Sequence, residues 1–497
     1  MINYVANQTD KYIESKPKSE RKSLGQFFTS KETARFMAGL FIIPQKNHIS
    51  VLDPGAGTGV LSAAVIEMID KQHPSVSEVE LTCYEINNDV LPILEANLAH
   101  LQNLSRIKLT LRIIKESYLL SQSDDFAGTL LSSNTPQKYD IVIGNPPYFK
   151  LQKEAPEAVT MPEVCHGAPN IYFLFASMSL FNLREDGEMV YIVPRSWTSG
   201  AYFRRFREFL LYHGKLTDIH VFESRNKVFD KEDVLQETMI MKLRKTPTKP
   251  RTVRITSSAD SRNFDNLKKL DAPYDIVVSG KEQYVYLVTS QNELDVLQKV
   301  NAFNAPMPSI GLRMKTGLTV DFRNRELLRN TNGGGTVPLF YSQHIKDGRV
   351  TFPIGKENEY ISDELPGLVQ LNRNYLFVKR FTAKEERRRL QCAVYLAEQY
   401  PEYSKISTQN KINFIDTIDN TEMTAELVCG LYIVLNSTLY DMYYRILNGS
   451  TQVNATEMNS IHIPERSVLE RLGKNLIEHG DYSTEYCDTV LEEVAYA

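Results

Sequence analysis

The chain has no surplus of positive charge: 57 Lys and Arg against 61 Asp and Glu leave a formal net charge of −4 over 497 residues. A protein that holds a polyanion by bulk electrostatics is ordinarily basic, so any nucleic-acid contact has to come from local clusters. Cysteine is scarce, and Cys83, Cys165, Cys392, Cys429 and Cys487 show no paired spacing. That argues against disulfides and against a zinc site, and no metal is expected. The adjacent Cys165 and His166 make a poor chelating pair and are read as loop. No run of 18 apolar residues suggests a membrane span, and the polar start of the chain, with Lys11, Lys16 and Lys18, lacks a signal-peptide core. A cytoplasmic protein that makes no membrane contact is expected. Long repeats and low-complexity tracts are missing as well. What remains is ordinary globular composition, 42% hydrophobic and 24% charged, in a chain longer than one core supports.

The richest stretch is Ile141-Val142-Ile143-Gly144-Asn145-Pro146-Pro147-Tyr148. An apolar strand ends in an amide, two prolines and an aromatic ring. Asn145 carries an acceptor oxygen and a donor nitrogen. The prolines fix their own φ angles and restrict the residues before them, so the Pro146 carbonyl becomes a second, nearly immobile acceptor. Tyr148 adds a π face for stacking, worth about 1–3 kcal/mol for a base. The hook suits a flat group bearing an exocyclic amine. Upstream, Val51-Leu52-Asp53-Pro54-Gly55-Ala56-Gly57-Thr58-Gly59 places a glycine loop between a strand (Ile49 to Leu52) and a helix (Val60 to Asp70). Missing side chains there let a nucleoside approach the backbone. Glu85 ends the next apolar run, Val79 to Tyr84, where a carboxylate can accept ribose hydroxyls. Taken alone, the glycine loop suits NAD as well as S-adenosylmethionine. The order of loop, acidic strand end and prolyl hook after a fourth strand narrows the choice.

In that order the motifs resemble the amino-methyltransferases with an (Asp/Asn/Ser)-Pro-Pro-(Tyr/Phe) signature, in the gamma arrangement of type II DNA-adenine modification enzymes. Leu24-Gly25-Gln26-Phe27-Phe28-Thr29 before a capped helix (Lys31 to Leu40) matches that arrangement's N-terminal segment. The resemblance implies a Rossmann-like α/β fold with a mostly parallel seven-stranded sheet, and S-adenosylmethionine as methyl donor. It implies Asn145, Pro146 and Tyr148 as catalytic residues. Gly25, Phe28, Thr29, Asp53, Gly55, Gly57, Gly59, Glu85 and Ile86 would bind the cofactor. The third strand's end ordinarily carries an acidic partner for the cofactor's adenine; here Ser117 holds that position beside Glu116, and either residue can serve. Phe229, in Lys227-Val228-Phe229-Asp230, matches an aromatic that packs on the far face of an extruded adenine.

Downstream, Asn170 opens an apolar helix reaching Leu183, Asp186-Gly187 forms a turn, and Glu188 to Val193 reads as a buried strand. Pro194-Arg195-Ser196-Trp197 ends it, a helix follows from Tyr202 to Leu211, and Ile219–Phe222 with Thr238–Leu243 close the sheet. The boundary is placed near residue 245, giving a catalytic domain (1–245) and a mixed α+β target-recognition domain (246–497). That second part contains Thr331-Asn332-Gly333-Gly334-Gly335, a long apolar helix from Leu427 to Leu447, and the amide-rich Gly449 to Glu457. Its Lys379-Arg380-Phe381 and Thr451-Gln452-Val453-Asn454 resemble the recognition region of type II modification enzymes. Arg195, Arg205, Lys379, Arg380, Gln452 and Asn454 are the DNA-binding candidates. Arg204, Arg207, Lys384 and Arg387-Arg388-Arg389 form further basic clusters, although Glu385 and Glu386 beside the last set equally suit a solvated helix face. The resemblance implies a monomer acting on double-stranded DNA, with a cognate endonuclease as functional partner. An RNA or protein-glutamine amino-methyltransferase is the alternative, since both pose the same chemical problem. The DNA word is not legible.

Overall fold

The computed structural model describes residues 1–17, 27–128, 137–223, 238–262, 264–303, 305–383, 385–447 and 451–495. Gly25, Phe229 with its neighbours Lys227, Val228 and Asp230, and also Lys384, Gly449 and Ser450, lie outside them. The chain forms two compact units, Met1–Ser290 and Gln291–Ala497.

The first unit is built on one sheet of β1 (His48–Asp53), β2 (Glu78–Tyr84), β3 (Lys108–Ile114), β4 (Tyr139–Gly144), β5 (Leu183–Pro194), β6 (Lys215–Phe222), β7 (Thr238–Arg244), β8 (Thr252–Ser258) and β9 (Lys268–Pro273). Their order is 3-2-1-4-5-7-6-8-9. Strands β3 to β5 run parallel, while β7 is antiparallel to both β5 and β6. The central strands are apolar on both faces, as strands covered by helices on each side must be. Nothing of Ile49, Val51 or Leu52 is exposed. The helix Val60–Gln72 is buried continuously from Val60 to Ile69. The helix Ile171–Asn182 is buried on nearly all faces, and the Asn170 side chain caps it.

The expected seven-stranded sheet is therefore nine-stranded, and the first unit ends at Ser290 rather than near residue 245. The Pro-rich stretch after Arg244 is only a turn. Beyond it β8 pairs in parallel with β6, and β9 returns antiparallel on β8. The alternating pattern of β8 (exposed Thr252 and Arg254, buried Val253 and Ile255) is that of an ordinary strand.

A buried ion pair pins the middle of this sheet. Lys242 Nζ on β7 lies 3.0 Å from Glu188 on β5 and donates to the Leu40 carbonyl at 2.7 Å. Glu188 also accepts from the Ile42 N–H at 2.8 Å. The connection after the helix Lys31–Gly39 is thereby tied to the sheet.

The second unit combines a six-stranded sheet, centred on Tyr375–Lys379 and Ile412–Thr417, with a five-stranded sheet around Thr336–Phe340 and Lys405–Thr408. An aromatic core that includes Phe340, Tyr375, Phe377, Tyr395 and Phe414 fills it. The apolar run expected as one helix from 427 to 447 is two, Ala425–Asn436 and Thr438–Leu447. Ser437 is extended between them, and its hydroxyl accepts from the Tyr440 N–H. A hydroxyl residue that caps the next helix ends the previous one. Helices Ala425–Asn436 and Arg466–His479 meet backbone to backbone: a Cβ at Gly430 would lie 1.9 Å from the Leu469 carbonyl oxygen.

Candidate active site

At the carboxyl ends of β1, β2 and β4 a cleft of about 620 Å³ opens. This is where open α/β sheets bind ligands. Its walls include Phe28, Thr29, Gly55, Gly57, Glu85, Ile86, Glu116, Ser117 and Asn145. Glycine loop, acidic strand end, third-strand residues and prolyl hook therefore share one cavity.

The loop owes its shape to positive φ angles at Gly57 (54°) and Gly59 (88°). A side chain at Gly59 would come within 3.0 Å of Leu94, and Gly59 starts the helix Val60–Gln72 without itself lining the cleft. The Glu85 carboxylate braces the loop: Oε2 accepts from the Gly57 N–H at 2.9 Å, and Oε1 from the Ile86 and Asn87 N–H groups at 2.8 Å each. Asp53 stands behind the loop rather than in the cleft. It is fully buried, Oδ2 accepts from the Ser62 hydroxyl at 2.7 Å, and Oδ1 has no hydrogen-bond partner among the described residues. Burial, with the Glu85 charge adding to it, pushes its carboxyl up to about 7. Ser117 is half-buried and its hydroxyl caps the turn Tyr118–Ser121, whereas Glu116 is exposed.

At the hook, β4 ends on Gly144, where any Cβ would meet the Tyr191 ring at 2.7 Å. Asn145 follows in a fully specified orientation. Nδ2 donates to the Phe27 carbonyl (2.7 Å) and to Thr29 Oγ1 (3.0 Å). The Tyr148 hydroxyl lies 2.6 Å from Asn145 Oδ1 and 2.9 Å from the Ile192 carbonyl oxygen. Tyr148 and Pro146 are buried and do not line the cleft, whereas Asn145, Pro147 and Phe149 do. The Phe27 ring stacks on Tyr148.

Several cleft features escaped the sequence reading. The helix Ile2–Ser15 supports the loop, with Thr9 Oγ1 lying 2.6 Å from Thr58 Oγ1 and Tyr12 standing edge-on to Phe28. Its buried positions (Ile2, Val5, Thr9, Tyr12) follow helical spacing, a signal present in the sequence. Glu157, Ile171 and Phe175 also line the cleft. Among the described residues, those with a charge that line it are acidic, Glu85, Asp89, Glu116 and Glu157, and Asp89 pairs with Lys16 at 2.8 Å.

The basic clusters divide. Arg207 is fully buried, and its guanidinium donates to the carbonyls of Trp197, Ser199, Gly200 and Glu282. Arg204 pairs with Glu208 and Glu282. Arg205 is exposed but donates to the Pro162 and Cys165 carbonyls, and Arg195 is half-buried in a 3-10 turn. The residues Arg387, Arg388 and Arg389 lie on no helix. Arg389 is buried against Thr382, and Arg388 donates to the Ser437 carbonyl. Arg207 is thus structural, because its donors are already aimed at backbone carbonyls, and Arg389 is fully buried with its Nε on Thr382 Oγ1.

Within the second unit, two stretches distant in sequence come together. Phe381 bridges to Gln452, the Val453 N–H donates to the Arg380 carbonyl at 2.7 Å, and the Thr382 N–H donates to Thr451 at 3.1 Å. Lys379, Arg380 and Gln452 are half-buried at this ribbon and Phe381 is 44% exposed. Asn454 Nδ2 donates to Glu457.

The Eco57I restriction-modification methylase family matches residues 66–229. Type II methyltransferase M.PstI of Providencia stuartii is 31% identical over 485 residues, covering 95% of this chain and 93% of its own. Type II methyltransferase M.BsuBI of Bacillus subtilis is 33% identical over 468 residues, with 92% and 91% covered. Among solved structures, the type IIL restriction-modification enzyme MmeI in complex with DNA superposes with a TM-score of 0.51 at 11% identity, covering all of this chain and 74% of that one. With about a third of its residues identical to two such enzymes over nearly their full length, and with the motif order of its cleft, the chain belongs to the type II methyltransferases of restriction-modification systems.

Proposed function

We propose that the protein methylates the 6-amino group of an adenine turned out of double-stranded DNA, with S-adenosylmethionine as donor, and so marks the sites its cognate endonuclease would cut. The observation that carries this reading is the meeting of Asn145 with Gly55, Gly57 and Glu85 on one cleft. The cleft fits the donor in shape and in charge. Its glycine cradle leaves the backbone open, and the acidic lining among the described residues suits a sulfonium better than the pyrophosphate of a dinucleotide. Bound there, the donor supplies an electrophilic methyl group.

The chain's own task is to make a poor nucleophile react. An exocyclic amine shares its lone pair with the purine ring. Acceptors at Asn145 Oδ1 and the Pro146 carbonyl would draw on its two N–H bonds and localise that pair on nitrogen. Thr29 and Tyr148 hold the Asn145 amide in a single orientation, so little reorganisation is needed at the moment of transfer. An adenine inside a duplex is out of reach, which makes extrusion part of the reaction. Residues 291–497 would read the DNA, with the ribbon of Lys379, Arg380 and Gln452 as their leading contact.

The decisive experiment is modification-aware sequencing of DNA from cells expressing the chain, with an Asn145→Ala control. Adenine marks at one word are expected. In the purified variant, methylation should fall about a hundred- to thousandfold while donor binding stays near normal. Full activity in Asn145→Ala, or marks on cytosine, would refute the proposal.

A further inference from the structure

The ring face that the proposed reaction reserves for adenine is already taken. Phe27 lies across Tyr148 with centroids 5.6 Å apart and planes inclined by 21°, and Tyr148 is only 8% exposed. A base sandwiched between two rings needs two contact layers, roughly 7 Å, so the two rings do not admit one between them. Phe27 also holds the hook's polar arm, since its carbonyl accepts from Asn145 Nδ2 at 2.7 Å. The ring on Tyr148 is a contact that an extruded adenine would make in its place, while the adenine amine would turn to Asn145 Oδ1 rather than to the Nδ2 that the Phe27 carbonyl holds.

We infer that Phe27 is a stand-in for the target base: adenine enters only as Phe27 leaves, and the difference between the two sets of contacts determines how firmly an extruded base is held. The inference rests on the adenine reading above. Thr29 Oγ1, 3.0 Å from Asn145 Nδ2, keeps the amide oriented when the Phe27 carbonyl withdraws, so the exchange leaves Oδ1 where the incoming amine needs it. Phe27 thereby becomes a specificity-determining residue. A base that stacks but offers no amine to Asn145 Oδ1 displaces the Phe27 ring without gaining the polar contact that adenine gains.

The test uses the full chain and a duplex carrying the methylated word, with 2-aminopurine at the target position. Removing the competitor by Phe27→Ala should bring half-maximal fluorescence at about tenfold lower protein concentration, the scale of one aromatic stack. Phe27→Leu, which loses the ring but keeps a large apolar side chain, should fall between Phe27→Ala and wild type. A folded Phe27→Ala protein that extrudes the base no better than wild type would overturn the inference. Phe27→Trp gives an independent reading, because the chain has one tryptophan, the fully buried Trp197. The new indole's emission should shift on adding the target duplex and stay put with a duplex lacking the word; an unchanged emission with both also overturns it. Should the wild-type protein leave DNA unmethylated, the adenine reading itself fails. Methylation without any gain in the Phe27 variants removes only the stand-in.

Discussion

At the scale of single residues, the cleft separates groups that touch a ligand from groups that hold the cleft in shape. Asp53 illustrates the second kind. Its folded carboxyl titrates at about 7 against an ordinary value of 3.8, chiefly because burial penalises its charge. The folded protein therefore keeps a proton that the unfolded chain gives up between about pH 4 and pH 7. Its contribution to stability is full below the unfolded value and is lost as pH rises through 7, a difference of roughly 4 kcal/mol. Asp53→Asn removes that titration. In urea unfolding without cofactor, the variant should gain on wild type as pH goes from about 5 to about 8. A constant difference across that range would show that Asp53 is not the buried acid described here. Glu85 was expected to face a cofactor from its place at a strand end, and the structure shows it making three backbone hydrogen bonds that were not expected. Those to Ile86 and Asn87 are local, but the one from Gly57 depends on how the glycine loop folds back over β2, which no local pattern encodes.

At the scale of elements, the parallel strands and the helices between them were readable, because continuous apolar runs and helical periodicity reflect burial directly. The ninth strand, the end of the first unit and the break at Ser437 were not. The break at Ser437 is a local cap hidden inside a continuous apolar run, whereas the other two depend on partners far away in sequence, such as β6 for β8. The Lys242–Glu188 pair is of the same nature. Cutting one partner leaves a buried charge, so Lys242→Met should cost about 3–5 kcal/mol in chemical denaturation. Pairing it with Glu188→Leu should restore most of that loss, since an apolar pair of similar size packs where the ions were. If the double variant is as unstable as the single, the cost lies in packing rather than in the stranded carboxylate.

At the scale of the whole molecule, each of the two units has its own sheet and its own buried core, and the proposal gives them separate work. Calorimetry should therefore resolve two transitions. Saturating S-adenosylmethionine, at about a hundred times its dissociation constant, should stabilise only one of them, by about 2.7 kcal/mol. Equal displacement of both, or of neither, would contradict a donor site confined to residues 1–290. No helix among the described residues is long and apolar enough to cross a membrane. The net charge of −4 fits a protein that meets DNA through a few placed groups rather than a uniformly basic face.

The sequence by itself determined the motif order, the central strands and the place of the hook at a strand end, because strand burial, glycine freedom and proline rigidity act over a few neighbouring residues. Tertiary structure alone decided which arginines are consumed by carbonyls, that Asp53 lies behind the loop, and that Phe27 covers Tyr148. Those outcomes turn on distances between residues as many as 121 positions apart. Only the packed chain brings such groups within reach of one another and removes the water between them.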